Sequence, residues 1–134
     1  MFDNVKSKEI AVLGFSFKKN TSDIRESSAI DICSILIQGE AKLRIYDPQV
    51  PEVAIQRVLA SDSVKVAKSA YECILKTHAV VVLTEWDEFK NLDFELIYQT
   101  MQKPAFIFDG RNILNQEELV KRGFRVFAIG KKCE

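Results

Sequence analysis

The sequence predicts an α/β fold, a doubly wound and mostly parallel Rossmann-like sheet with helices on both faces. Short β-rich apolar runs alternate with segments of helical periodicity along nearly the whole chain. Parallel strands need such crossover helices, and right-handed crossovers place them on both faces of the sheet. One run, Ala79 to Leu83 (AVVVL), is apolar at every position, the mark of a central strand covered on both sides. Glycine, proline and aspartate punctuate the runs closely enough to keep the connections short.

In order, Glu9 to Gly14 (EIAVLG) is a compact buried-strand signal. Ser28 to Gln38 carries Ala29, Ile32, Cys33 and Leu36 at helical spacing before Gly39, a helix stop. Lys42 to Tyr46 alternates as a second strand closed by Asp47 and Pro48, and Pro51 suits the first turn of a helix through Leu59. Val64 to Ala67 predicts a short strand and Tyr71 to Leu75 a short helix, ahead of the central strand. Asp93 then opens a helix through Met101, which Lys103 and Pro104 break. Ala105 to Phe108 (AFIF) is another buried strand, ending at Asp109, Gly110 and Arg111. Gln116 to Arg122 is helical with Gly123 as its stop, and Phe124 to Ile129 supplies the last strand. Residues 1–8 read as the end of a preceding linker or helix, 9–130 as one domain without repeats or low-complexity tracts, and 131–134 as a tail.

The chain has 134 residues, enough to bury about two thirds of its unfolded surface without metal or disulfide staples. Its 19 basic side chains balance 19 acidic ones, so broad attraction to nucleic acid or acidic membranes is not expected, and any charged site must be local. Cys33, Cys73 and Cys133 lie far apart with only His78 to help them, which indicates neither a zinc site nor a disulfide framework. Cys33 and Cys73 fall where small core residues would sit, Cys133 in the polar tail, and His78 at the amino end of the central strand. Dispersed thiols suit a reducing compartment. No apolar run approaches a membrane span, and Met1 to Lys8 is too polar for a secretory signal, so the expected location is cytoplasmic.

In doubly wound sheets the ligand crevice lies beyond the carboxyl ends of the strands, where strand order reverses. After the first strand comes GFSFKKNTSDIRESS, Gly14 to Ser28. It lacks the GxGxxG fingerprint, since only Gly14 is glycine where amides would approach a pyrophosphate. Lys18, Lys19 and Arg25 place three cations in this loop ahead of a helix amino terminus, and phosphate is the natural guest. Phe17 beside Lys18 offers a flat apolar surface to a base or sugar ring. The competing reading has the lysines solvated, Phe17 in the core and Arg25 paired with Asp23 or Glu26. At the second strand end, Phe108 to Asn112 (FDGRN), Gly110 permits a sharp turn and Arg111 presents a planar fork, unless Asp109 and Arg111 form a local ion pair. Asp47 stands either where such folds place a ribose-binding acid or at a common turn opening. The acids of Thr84 to Phe89 (TEWDEF) could serve as bases but have no basic or nucleophilic partner identifiable by spacing, and the competing reading is capping and packing. No thiol, histidine and third group combine for covalent catalysis.

Four segments together resemble the carboxyl-terminal, UDP-binding domain of the eukaryotic UDP-glucose 6-dehydrogenases, within the UDP-glucose/GDP-mannose dehydrogenase family. They are IAVLGFSFKKNTSDIRES (Ile10 to Ser27), IYDPQV (Ile45 to Val50), TEWDEFKNLDF (Thr84 to Phe94) and KPAFIFDGRNIL (Lys103 to Leu114). The resemblance implies that Phe17 and Lys18 match the family's FK pair contacting the UDP-sugar, that Arg111 of FDGR is a second substrate contact, and that Arg25 reaches the NAD. It further implies that a full-length enzyme oxidises UDP-glucose to UDP-glucuronate with two NAD, and is a homo-oligomer, this domain clamping the UDP of the substrate. The amino-terminal dehydrogenase domain, with its GxGxxG motif, catalytic cysteine and catalytic lysine, precedes this chain, which therefore reads as part of a longer protein and carries no catalytic residue. A naturally short relative is the alternative. Asn20, Ser22 and Ile24 depart from the family's usual aspartate, glycine and threonine, and the stretch from Val58 to Ala70 is short. Two other classes compete: a non-catalytic interaction or oligomerisation module of the same fold, and a phosphoacceptor receiver domain. The receiver reading has Asp47 and Thr84 at strand ends but lacks an acidic pair after strand one, where Gly14, Phe15 and Ser16 stand.

Overall fold

The computed structural model describes residues 6–16, 24, 27–128 and, as backbone, 131–132. The elements run β1 (Glu9–Leu13), α1 (Ser28–Gln38), β2 (Lys42–Tyr46), α2 (Glu52–Leu59), β3 (Val64–Val66), α3 (Ala70–Ile74), β4 (Ala79–Val82), α4 (Asp87–Lys90), α5 (Phe94–Thr100), β5 (Phe106–Asp109), α6 (Gln116–Arg122), β6 (Arg125–Ala128) and β7 (Lys131–Lys132). They form one sheet in the order β3-β2-β1-β4-β5-β6-β7, parallel throughout except for the antiparallel β6–β7 pair. The doubly wound expectation holds. The chain winds outward from β1 through β2 to β3, returns to β4 beside β1, and winds outward the other way.

Side-chain alternation along the strands builds a core on each face of the sheet. Ile10 and Val12 of β1, Leu43 and Ile45 of β2 and Val81 of β4 pack under α1 and α2 with Ala29, Cys33 and Ile55. Ala11, Leu13, Val80, Val82, Ile107 and Val126 pack on the opposite face with Cys73 and Ile74 of α3, Phe89 of α4, Ile97 of α5 and Leu119 of α6. All of β4 is buried, so its unbroken apolar run has no solvent face to alternate toward.

Helix ends follow local chemistry. Ser27, Ser69, Asp93 and Asn115 each accept a hydrogen bond from a first-turn amide of α1, α3, α5 and α6. Gly123 ends α6 at φ 109°, where a side chain would also strike the Tyr98 ring, its oxygen only 2.6 Å from the added Cβ. Two elements were not expected. The single turn α4 seats Phe89 in the core, and β7 lengthens the sheet within the stretch read as a tail. A four-residue helix shows only one period, and a two-residue strand none, so neither leaves a pattern to find.

Candidate functional site at the carboxyl edge of the sheet

Strand order reverses between β1 and β4, and the segments leaving their carboxyl ends diverge there. Gly14 turns the chain out of β1 at φ 97°, with its amide on the Tyr46 carbonyl at 2.8 Å. A Cβ on Gly14 would lie 2.4 Å from Thr84 Cβ, so glycine is required both by conformation and by the close approach of the β4 end. Thr84, fully buried, donates its hydroxyl to the Ser16 carbonyl at 2.9 Å and ties the two ends together.

The two amides that follow Gly14 point at an internal anion. Asp47 Oδ2 accepts from Phe15 N at 2.8 Å, Ser16 N at 3.0 Å, Ser16 Oγ at 3.0 Å and Trp86 Nε1 at 3.1 Å. Its Oδ1 accepts from Gln49 N at 2.8 Å and Val50 N at 3.1 Å. Both sequence readings of Asp47 are thereby sorted: it opens the turn after β2, and its oxygens serve protein donors rather than a ribose. In a dinucleotide fold the amides after β1 would hold pyrophosphate. Here the Asp47 carboxylate takes those amides, and the glycines are missing as well, so the described residues do not fit a dinucleotide on the β1 turn.

The β5 end is shaped by its own hydrogen bonds. Asp109, fully buried, accepts from Arg111 N at 3.0 Å and Leu114 N at 2.9 Å, which shapes the turn. Gly110 donates to the Val82 carbonyl at 2.9 Å, and a Cβ there would meet that oxygen at 2.7 Å. The turn carries Arg111 back across the β4 end, where Nε donates to the Leu83 carbonyl at 2.9 Å and Nη1 lies 3.5 Å from Glu85 Oε2. Both side chains keep about a third of their surface open, Arg111 34% and Glu85 29%. Among the described residues Arg111 pairs with Glu85, while Asp109 accepts from backbone amides. Phe17, Lys18 and Arg25 lie outside the described residues, so Arg111 is the expected site residue whose surroundings are visible. It stands at the switch point beside the β1 turn.

Sequence reasoning missed the web of Ser16, Asp47, Thr84 and Trp86. The signal was present in the polar residues placed at three strand ends, but which donors they meet depends on strand order. His78 accepts from Glu9 N at Nδ1 at 3.0 Å, a structural bond at the opposite edge. Cys33 and Cys73 are buried free thiols pushed up to about 12 by burial, hence unreactive. Burial first, then the hydrogen bond to Glu88 Oε2 at 2.9 Å, pushes the Tyr46 phenol up to about 12 as well. Among the described residues no cluster of His, Cys, Asp and Glu could hold a metal ion, and no helix is long and apolar enough to cross a membrane.

Sheet order and a charged fork at the switch point define a Rossmann-like domain of the kind found in dehydrogenases. The chain belongs to the UDP-glucose/GDP-mannose dehydrogenase family, whose UDP binding domain matches residues 11–116. It is 49% identical over 153 positions to UDP-glucose 6-dehydrogenase 2 of Arabidopsis thaliana, and equally to UDP-glucose 6-dehydrogenase 1 of Oryza sativa subsp. japonica. Each alignment covers 100% of this chain and 32% of the plant protein, so the chain spans about a third of the curated relatives it matches and corresponds to their carboxyl-terminal part. With 153 positions against 134 residues, those plant sequences hold residues this chain lacks. Among solved structures, the UDP-D-ManNAc dehydrogenase of Pyrococcus horikoshii is 31% identical at a TM-score of 0.76, over 95% of this chain and 26% of that one. The NDP-N-acetyl-D-galactosaminuronic acid dehydrogenase of Methanosarcina mazei Go1 matches the fold at a TM-score of 0.82 and 22% identity, over 96% of this chain and 26% of that one.

Proposed function

We propose that this chain is the UDP-binding portion of an NAD-dependent UDP-glucose 6-dehydrogenase, an oxidoreductase that makes UDP-glucuronate. The observation that carries the reading is the family match across residues 11–116, which takes in the β1-end loop and Arg111 together. The guanidinium at the switch point supports it, being a bidentate donor suited to a diphosphate or a carbonyl edge. In this reading Phe17, Lys18 and Arg111 hold the UDP end of the substrate, and Arg25 extends toward NAD. The dinucleotide is bound by the missing amino-terminal domain, in keeping with a β1 turn whose amides Asp47 already occupies. The domain then begins at residue 9 and takes in β7, the full-length protein is a homo-oligomer, and its compartment is the cytoplasm, in keeping with few and dispersed cysteines.

Isolated, the chain is a half-site: it holds the groups for the nucleotide and none of those around the glucose. Its contacts must offset an immobilisation cost of several kcal/mol, so UDP and UDP-glucose should bind equally, with a dissociation constant of about 0.1 mM or weaker. UMP should bind less well than UDP, and salt should weaken both. Titration calorimetry tests this. Absence of any UDP heat at millimolar ligand would remove the nucleotide reading in favour of an interaction module, and UDP-glucose binding tenfold tighter than UDP would place a sugar pocket within this chain. Mixed with NAD and UDP-glucose, the purified chain should form no NADH; turnover in proportion to protein would overturn the division of labour.

A further inference from the structure

We infer that Asp47 is a positioning residue of the nucleotide site, acting through Trp86 and the β4 end on the aim of Arg111; the inference rests on the nucleotide reading above. Asp47 is remote from the chemistry of any ligand because both its oxygens are turned inward. Four donors from two segments converge on Oδ2: Phe15 N, Ser16 N and Ser16 Oγ from the β1 turn, and Trp86 Nε1 from the β4 end. The carboxylate is 7% exposed, and Trp86 is 8% exposed. A buried charge with this many donors fixes the donors as firmly as they fix it.

The β4 end is also where Arg111 is held. Its Nε rests on the Leu83 carbonyl and its Nη1 beside Glu85, the residues on either side of Thr84. Thr84 is bound to the Ser16 carbonyl of the β1 turn and Trp86 to Asp47 at the β2 end, so the segment from Leu83 to Trp86 that carries the arginine's anchors is itself tied to the two neighbouring strand ends. Leu83 N is in turn bonded to the Leu13 carbonyl at 2.9 Å. A shift of the segment relative to the β1 turn therefore moves both anchors of the guanidinium. Asp47 and Thr84 both oppose the shift, and Asp47 also accepts from Gln49 N and Val50 N in the turn after β2. An asparagine keeps the size but offers one acceptor oxygen, so it can serve the β1 turn and Trp86, or the β2 turn, but not both sets.

The test compares Asp47→Asn with Ile55→Ala, a core variant on α2 that costs stability while its side chain takes no part in the hydrogen bonds around Asp47 and Arg111. Two readouts are taken on the whole chain well below either melting transition. The first is the Arg111 Nε–H resonance, assigned by its loss in Arg111→Lys. In the unmodified chain and in Ile55→Ala it should stay protected from solvent exchange by the Leu83 carbonyl, and in Asp47→Asn protection should fall at least tenfold. The second is UDP affinity by calorimetry, expected to weaken about tenfold in Asp47→Asn and by less than twofold in Ile55→Ala. Unchanged Arg111 protection in Asp47→Asn would overturn the inference, as would an equal loss in both variants. The resonance is read without ligand, so a chain that ignores UDP would sink the nucleotide reading alone and leave the coupling of Asp47 to Arg111 decided by the exchange rates.

Discussion

Arg111 reaches the crevice already engaged, with Nε on the Leu83 carbonyl and Glu85 beside its Nη1. Engagement holds the fork in place, but the Glu85 carboxylate also competes with an incoming phosphate for the same charge. Arg111→Ala should therefore cost UDP about 1.5–3 kcal/mol, the range for a hydrogen bond to a charged group, or roughly tenfold and more in affinity. Glu85→Gln keeps an acceptor near the fork and removes the opposing charge, and should tighten UDP binding severalfold, with the gain shrinking as salt rises. Calorimetry on both variants reads this directly. Weaker UDP binding in Glu85→Gln would mean that the carboxylate holds the arginine more than it opposes the ligand.

At the scale of the element, each face of the sheet is closed over a buried thiol, Cys33 from α1 on one side and Cys73 from α3 on the other. Burial lifts each pKa from an ordinary 9.0 to about 12. Between those values the unfolded chain has released its thiol protons and the folded chain has kept them. Stability must then be full below pH 9, fall as pH rises, and lose this contribution by about pH 12. The urea midpoint should drop between pH 8.5 and 10.5, and the drop should shrink in Cys33→Ala and Cys73→Ala, each compared with its own value at the lower pH. Equal slopes in all three chains would contradict the burial of the thiols.

Elements were legible wherever a period or a stop residue had room to repeat. Ser28–Gln38 and Gln116–Arg122 carry capping residues, apolar spacing and a terminal glycine, and their bounds follow from sequence. The candidate site was legible only in its location and in Arg111. Which acid serves backbone amides and which faces the arginine cannot be read from spacing: Asp47, Glu85 and Asp109 look alike along the chain, and only strand order brings Asp47 to the amides of the β1 turn and Glu85 to the arginine.

Taken whole, the molecule has an unequal surface. The helices of one face, α1 and α2, pack over β1 to β3, while on the same face the exposed Phe127 of β6 stacks on the buried Phe106 of β5 with ring centroids 6.4 Å apart. Phe127 is 41% exposed, and on α1 Ile35 is 66% exposed in a helix whose one charged residue is Asp31. A helix apolar nearly all round is ordinarily covered on every side. The isolated chain should self-associate as its concentration rises, and Ile35→Lys with Phe127→Lys should suppress this without changing UDP affinity. Sedimentation velocity across a hundredfold dilution decides it: a monomer at every concentration would show that these side chains are too scattered to act as a patch.

The two margins of the sheet are blunt. β3 is three residues long with Lys65 at its middle, and β7 is the two-residue antiparallel pair that covers the last two residues of β6. Open strand margins are templates on which other chains add hydrogen-bonded strands, and short, lysine-bearing margins resist that growth. β6 is longer and carries Val126 and Phe127, and β7 sets two lysines along its outer half. Were copies of this protein to associate, their contacts would then fall on its faces, where they are finite, and away from its rims, where they would have no natural end.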